Sequence, residues 1–205
     1  MLRESLRESR KRELKDEIFL QALRLFKERG YQNVTIEDIT TACGIAKGTF
    51  YNYFPKKEHV LLHLGKGQIE ILRESVARHA RVRNVRKRLK LIFKDLLARI
   101  DREPDLLKAT IIEILRSSLL VEEEIQLIAE FELLLTPLFE EAAAAGQVSA
   151  RWNPRQLSSF LVGTYYYALF SWLANPAQAQ GDVIGLFHTH LDMLWNGIAN
   201  EGGKD

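Results

Sequence analysis

From Leu14 onward the apolar residues of this chain recur at the spacing of a helix face, and no stretch alternates as a half-buried strand would. That restricts the fold class to all-α. Leu14, Ile18, Ala22, Leu25 and Phe26 follow one another at intervals of four, four, three and one, and Gly30 supplies a C-terminal stop. Thr35 followed by Asp38 has the form of a capping box, which opens a short second helix reaching Ala42 before Gly44 breaks it. A third short helix is expected over 46–53, where Pro55 forbids a smooth continuation. A long helix over 56–82 and helical segments at 85–100, 104–120, 122–146, 154–174 and 182–199 complete the reading. Pro137 predicts a kink or a break, and Asn153 reads as an N-cap with Pro154 at the first helical position.

Within 205 residues there is no run of eighteen uncharged apolar residues, and the N-terminal segment is charged where a signal peptide needs an apolar centre. A cytoplasmic protein without a membrane span is expected. The single cysteine, Cys43, permits no internal disulfide and reads as a small buried hydrophobe. The charge is uneven: residues 1–60 hold twelve Lys/Arg against nine Asp/Glu, whereas 95–205 hold seven against sixteen. A basic front on an acidic body suits one module that meets a polyanion and another with a different task.

The stretch GIAKGTFYNYFPKK, 44–57, holds four aromatic rings, two glycines and three lysines without an acidic side chain. The two short helices and their glycine turn have the proportions of a helix-turn-helix, whose second helix enters the DNA major groove. At 100° per residue Phe50 and Phe54 fall inward with Ala46, while Gly48, Thr49, Tyr51 and Asn52 fall outward. Lys47 stands at a helix N-terminus, and Gly48 removes the side chain that would hold the backbone away from a duplex. Tyr51 and Tyr53 offer hydroxyls to phosphate oxygens, and Thr35 and Lys57 stand at helix starts whose backbone amides favour an anion.

TIEDITTACGIAKGTFYNYFPKKEHV, with ALRLFKERGYQNV before it, resembles the DNA-binding domain of the TetR/AcrR family of one-component transcriptional regulators. The resemblance covers residues 10–62, and AAAAGQVSARWNPRQLSSFLVG is similar to the joint before the family's two dimerisation helices. It implies phosphate contacts from Thr35, Tyr51, Tyr53 and Lys57, with Lys47, Gly48, Thr49 and Asn52 presented to the groove. Two positions depart from the pattern. Ala46 replaces a frequent hydroxyl residue, and Lys56 stands where Ser, Asn or Asp usually caps the fourth helix.

The resemblance divides the chain into a helix-turn-helix domain over 1–55, with 1–10 as a flexible tail, and a helical ligand-binding and dimerisation domain over 56–205. It implies a repressor that binds a palindromic operator in double-stranded DNA as a homodimer and is released by an apolar or amphipathic small molecule. A ligand-independent DNA-binding or protein-interaction regulator of the same fold is the alternative. Phe93, Phe131, Tyr165, Tyr166, Phe170 and Trp172 are candidate ligand-lining rings, although rings at helical spacing equally suit a core. The last helix is apolar on most of its surface, so a second subunit is expected to cover it. Phe187, Leu191, Leu194 and Trp195, packed with Phe160, Leu161, Thr164 and Ala168, are the expected four-helix dimer interface.

No metal site or cofactor is expected. His188 and His190 are about 200° apart on one helix, and His59 and His63, at i and i+4, read as a solvated face. No nucleophile–base set, phosphate loop or cysteine dyad points to an enzyme. Residues 78–94 hold eight Lys/Arg and no acid, either a solvated helix end and turn or a positive mouth for an anionic ligand.

Overall fold

The computed structural model describes residues 2–100, 104–116, 118–174 and 183–198. Nine α-helices follow in order within them: α1 (Leu2–Arg29), α2 (Ile36–Cys43), α3 (Lys47–Tyr51), α4 (Glu58–Arg78), α5 (Val85–Ile100), α6 (Pro104–Arg116), α7 (Ser118–Ala144), α8 (Pro154–Ala174) and α9 (Val183–Ile198). A 3-10 turn at Tyr31–Asn33 joins α1 to α2. The all-α class expected from the periodicity holds among these residues, with no strand.

Three local expectations are corrected. α1 begins at Leu2, so residues 2–10 continue the helix in place of the expected flexible tail. Their sequence is rich in good helix formers, and Ser9 Oγ donates to Glu13 one turn on at 2.9 Å. α7 runs through Pro137 without the break that was one of the two expected outcomes. Leu135, Leu138, Phe139 and Ala142 are buried around the proline, and this packing sustains the helix despite the lost backbone donor. α4 is shorter than the expected 56–82, starting after Lys57. The expected ends of the last helix at 182 and 199 lie outside the described residues.

The chain forms two compact units, one of Met1–Gly65 with Asp105–Glu123, the other of Lys66–Pro104 with Glu124–Asp205. The division falls within α4 and not at residue 55, because Val60, Leu61 and Leu64 at the start of α4 pack into the core of the first unit. That core also takes Ile18, Ala22, Leu25 and Phe26 from α1, Tyr31 and Val34 from the turn, Ile39 from α2, and Phe50 and Phe54. Cys43 packs half-buried at its edge. His63 does not form the expected solvated face: its ring meets Phe19 at 4.8 Å and Phe54 at 5.9 Å, both edge-on. His59 is likewise largely buried, 4.0 Å from Glu123.

In the second unit α9 packs on α8 and α5. Arg88, buried on α5, donates to Glu141 of α7 at 2.9 Å and to the Val76 carbonyl of α4 at 3.2 Å, so one guanidinium ties three helices. Asp95 accepts from Ser75, Arg78 and His79 at 2.7, 2.9 and 3.0 Å. Asp192 takes both Arg86 and Lys90. Half the cations of the basic segment are thus committed to acids within the unit, whereas the side chains of Arg81, Arg83, Lys87 and Lys94 are exposed and form no ion pair among the described residues.

Leu161, Ala168, Phe187, Leu191 and Trp195, expected at a dimer interface, are buried within this unit's own core. Phe187 stacks on Phe93 at 4.3 Å, and Trp195 on Phe139 at 6.5 Å. Leu194 and Thr164 are half-buried. Of the expected set only Phe160 is fully outward, 62% exposed, and it shares the open face of α8 and α9 with Tyr167 at 62% and Met193 at 67%.

Candidate nucleic-acid interface and ligand region

Thr35 opens α2 with a complete capping box. Its hydroxyl accepts from the Asp38 amide at 3.1 Å and donates to Asp38 Oδ2 at 2.6 Å, while its own amide donates to the same carboxylate at 2.8 Å. These bonds, with Arg29 at 3.3 Å, hold the Asp38 carboxyl below its usual value. α2 ends at Gly44, whose φ of 64° and ψ of 32° are left-handed, a conformation that glycine adopts without strain. Its amide returns to the carbonyls of Thr40 and Thr41 and turns the chain toward α3.

α3 has only five residues and starts at Ala46 without a side-chain cap, in line with the absent hydroxyl. So short a helix has little stability of its own, and Phe50 and Phe54 fasten it to the core from one side. The opposite side is open: Lys47, Gly48, Tyr51 and Asn52 are exposed, and Thr49 and Tyr53 half-buried. A Cβ added to Gly48 would meet nothing within 4 Å. Lys47 bridges to Glu37 of α2 at 2.8 Å, which joins the two helices at their outer edge.

Lys57 is placed differently. Its ammonium donates to the carbonyls of Tyr31 at 2.9 Å and Val34 at 2.8 Å, and lies 4.1 Å from the centre of the Tyr31 ring. Burial lowers its pKa below the usual lysine value. Sequence spacing had no means of revealing this, since its partners stand 26 and 23 positions away.

The expected ligand rings are largely brought together. Phe131 stacks on Tyr165 at 5.8 Å, Tyr165 lies 5.5 Å from Phe93, and Tyr166 meets Tyr165 and Phe170 at 5.3 and 6.2 Å. Phe93, Phe131 and Tyr165 are core, Tyr166 and Trp172 half-buried, and Phe170 exposed. The sequence reading missed Glu124, which accepts from Tyr166 Oη at 2.8 Å. Burial raises its carboxyl above the usual range despite that hydrogen bond. The rings pack against one another, and two open concavities of the described residues lie elsewhere. One of about 320 Å³ lies between α1 and α2, lined by Arg24, Arg29, Glu37 and Thr41; another of about 320 Å³ lies beside Glu132, Asn153 and Arg155.

A helix-turn-helix with an open basic and aromatic face, on one chain with a separate helical unit, defines a DNA-binding regulator. Residues 18–64 match the family model described as bacterial regulatory proteins, tetR family. The fatty acid metabolism regulator protein of Bacillus subtilis is 26% identical over 185 residues, 88% of this chain and 93% of that one. The HTH-type transcriptional repressor DhaR of Mycobacterium sp. is 28% identical over 71% of this chain and 75% of its own. Among solved structures, Thermus thermophilus FadR, a TetR-family repressor in complex with lauroyl-CoA, superposes with a TM-score of 0.74 at 26% identity, covering 93% of this chain and 98% of that one. Residues 18–64 thus carry a DNA-binding domain of the tetR family, and along most of its length the chain is similar to regulators of that family, which bind operator DNA as dimers and are released by small-molecule ligands. These relatives are regulators and not enzymes. No helix among the described residues is long and apolar enough to cross a membrane, and none of their His, Cys, Asp and Glu groups would hold a metal ion.

Proposed function

We propose that the chain is a cytoplasmic repressor of fatty acid metabolism genes that lays α3 into the major groove of a palindromic operator and is released by a long-chain acyl-coenzyme A. The DNA half of this reading rests on Gly48. A glycine in a helix costs about 0.5–1 kcal/mol relative to alanine, yet nothing in the chain occupies the space a Cβ would fill. The demand for a bare backbone therefore comes from outside the chain, as close approach to a duplex requires. Tyr51 and Tyr53 flank that position as phosphate-side contacts, and Lys47, Thr49 and Asn52 face the groove. Gly48→Ala is expected to raise the thermal stability of the head slightly while weakening operator binding at least about tenfold. Unchanged affinity in a gel-shift titration refutes the assignment of α3.

The ligand half rests on the relatives and on the ring cluster. An acyl chain suits the apolar surface of Phe93, Phe131, Tyr165 and Phe187, and the exposed cations Arg81, Arg83, Lys87 and Lys94 suit a polyphosphate head. Because the rings are packed together, the acyl chain must part them. It then favours a conformation other than this one, which is what release by a ligand requires. Reversing occupancy from 99:1 to 1:99 needs about 10⁴-fold tighter binding to the released form. On an inverted-repeat operator recovered from random DNA, long-chain acyl-CoA is expected to dissociate the complex while coenzyme A without an acyl chain leaves it intact. An operator complex indifferent to saturating acyl-CoA leaves the ligand-independent regulator standing instead.

For the dimer, the open face of α8 and α9 is the surface that a second copy covers. Tyr167 lies 5.5 Å from the His190 ring, Met193 follows about one turn further along α9, and Phe160 precedes Tyr167 by two turns of α8.

A further inference from the structure

We propose that Lys57 is a positioning residue of the DNA-reading head, whose ammonium latches the start of α4 to the backbone that carries α2, and that it is not a phosphate contact. Val34 is 1% exposed, and its carbonyl immediately precedes the Thr35 cap that opens α2. A buried carbonyl needs a donor, and Lys57 Nζ supplies it at 2.8 Å. The same ammonium donates to Tyr31 O, which also accepts weakly from the Val34 amide, and lies over the Tyr31 ring. One cation thus satisfies both ends of the 3-10 turn from a position directly before α4.

This places Lys57 at a mechanical joint. Tyr31 and Val34 are core residues of the head, and the α2 capping box begins at the next residue. The turn is held a second time by Gln32, whose amide donates to Glu113 of α6, and Glu113 in turn takes Arg116 at 3.1 Å. A displacement of the start of α4 pulls directly on the backbone before α2, and α2 carries α3. A point charge on a flexible four-carbon stem reaches two carbonyls and a ring face together, whereas a planar guanidinium does not reproduce that geometry.

The test uses the full-length chain with Lys57→Met, which keeps the stem over Tyr31, and Lys57→Arg, which keeps the charge. One arm follows operator affinity against salt and rests on the DNA-binding reading. The other follows amide exchange of residues 36–43 and needs no DNA. Both variants are expected to weaken the operator complex about tenfold with an unchanged slope of log K against log salt, and to speed exchange in α2 about tenfold. The proposal is overturned if Lys57→Arg keeps full affinity while Lys57→Met flattens the slope by about one phosphate unit with α2 exchange unaltered. Should the wild-type chain hold no operator at all, the regulator reading fails, and the exchange arm still decides for or against the latch.

Discussion

Leu191→Glu is expected to abolish folding of the C-terminal unit, whereas Tyr167→Glu is expected to leave a helical chain that stays monomeric and no longer holds the operator. Leu191 is 0% exposed within a single chain, on the side of α9 that carries Phe187 and Trp195. A carboxylate there has no cation to pair with on its own face and meets stacked rings on the other helices. Burying it unpaired costs several kcal/mol, added to the roughly 1.5–3 kcal/mol lost with the leucine itself. Tyr167, in contrast, is exposed on the open face with Phe160 and Met193, so its replacement leaves the single-chain core untouched. It places a charge only where two copies meet, and like charges then face each other across the two-fold axis. Sedimentation velocity with circular dichroism separates the two: a helical dimer with normal operator affinity for Tyr167→Glu sinks the proposed surface, and a well-folded Leu191→Glu sinks the assignment of the inner face.

The difference between those positions marks where the sequence stops being informative. Periodicity identifies a stripe at Phe187, Leu191 and Trp195, but α8 and α9 carry large apolar groups on both sides, and nothing in the spacing says which side a chain fills by itself. Burial decides it: the stripe with the larger rings enters the core formed with Phe93, Phe139 and Tyr165, and the residues beside it remain outside. In the head the opposite holds. Thr35, Asp38, Gly44 and Pro55 each have a local backbone meaning, so the boundaries of α2, the turn and the end of α3 follow within a few residues. Features joined over long separations were not legible, among them the carbonyl partners of Lys57, the Glu124–Tyr166 pair and the Arg88 tie across three helices. Each depends on which helices become neighbours, which local spacing does not encode.

Phe50→Ala is expected to melt the reading head and remove operator binding. Phe50 is 0% exposed, with Phe54 at 5.7 Å and Tyr51 at 5.8 Å between ring centres. Truncating a buried phenylalanine costs about 3–5 kcal/mol, through lost transfer energy and the cavity left behind. α3 is especially exposed to that loss, since five residues close barely one helical turn and Ala46 gives it no side-chain cap. Without Phe50, α3 is left with Phe54, the partly buried Ile45 and Tyr53 on either side of it, and the Lys47–Glu37 bridge, and an exposed ion pair contributes no more than about 1 kcal/mol. Tyr51→Phe is the matched control on the neighbouring residue. It removes one hydroxyl from the open face, so stability is expected to be unchanged and binding to fall equally on all DNA sequences, as loss of a phosphate contact requires. Thermal unfolding and amide exchange over residues 36–51, read beside gel shifts, distinguish the two. If Phe50→Ala keeps both its melting temperature and its operator affinity, α3 does not dock into the head through Phe50, and the outward set Lys47, Gly48, Tyr51 and Asn52 loses its basis.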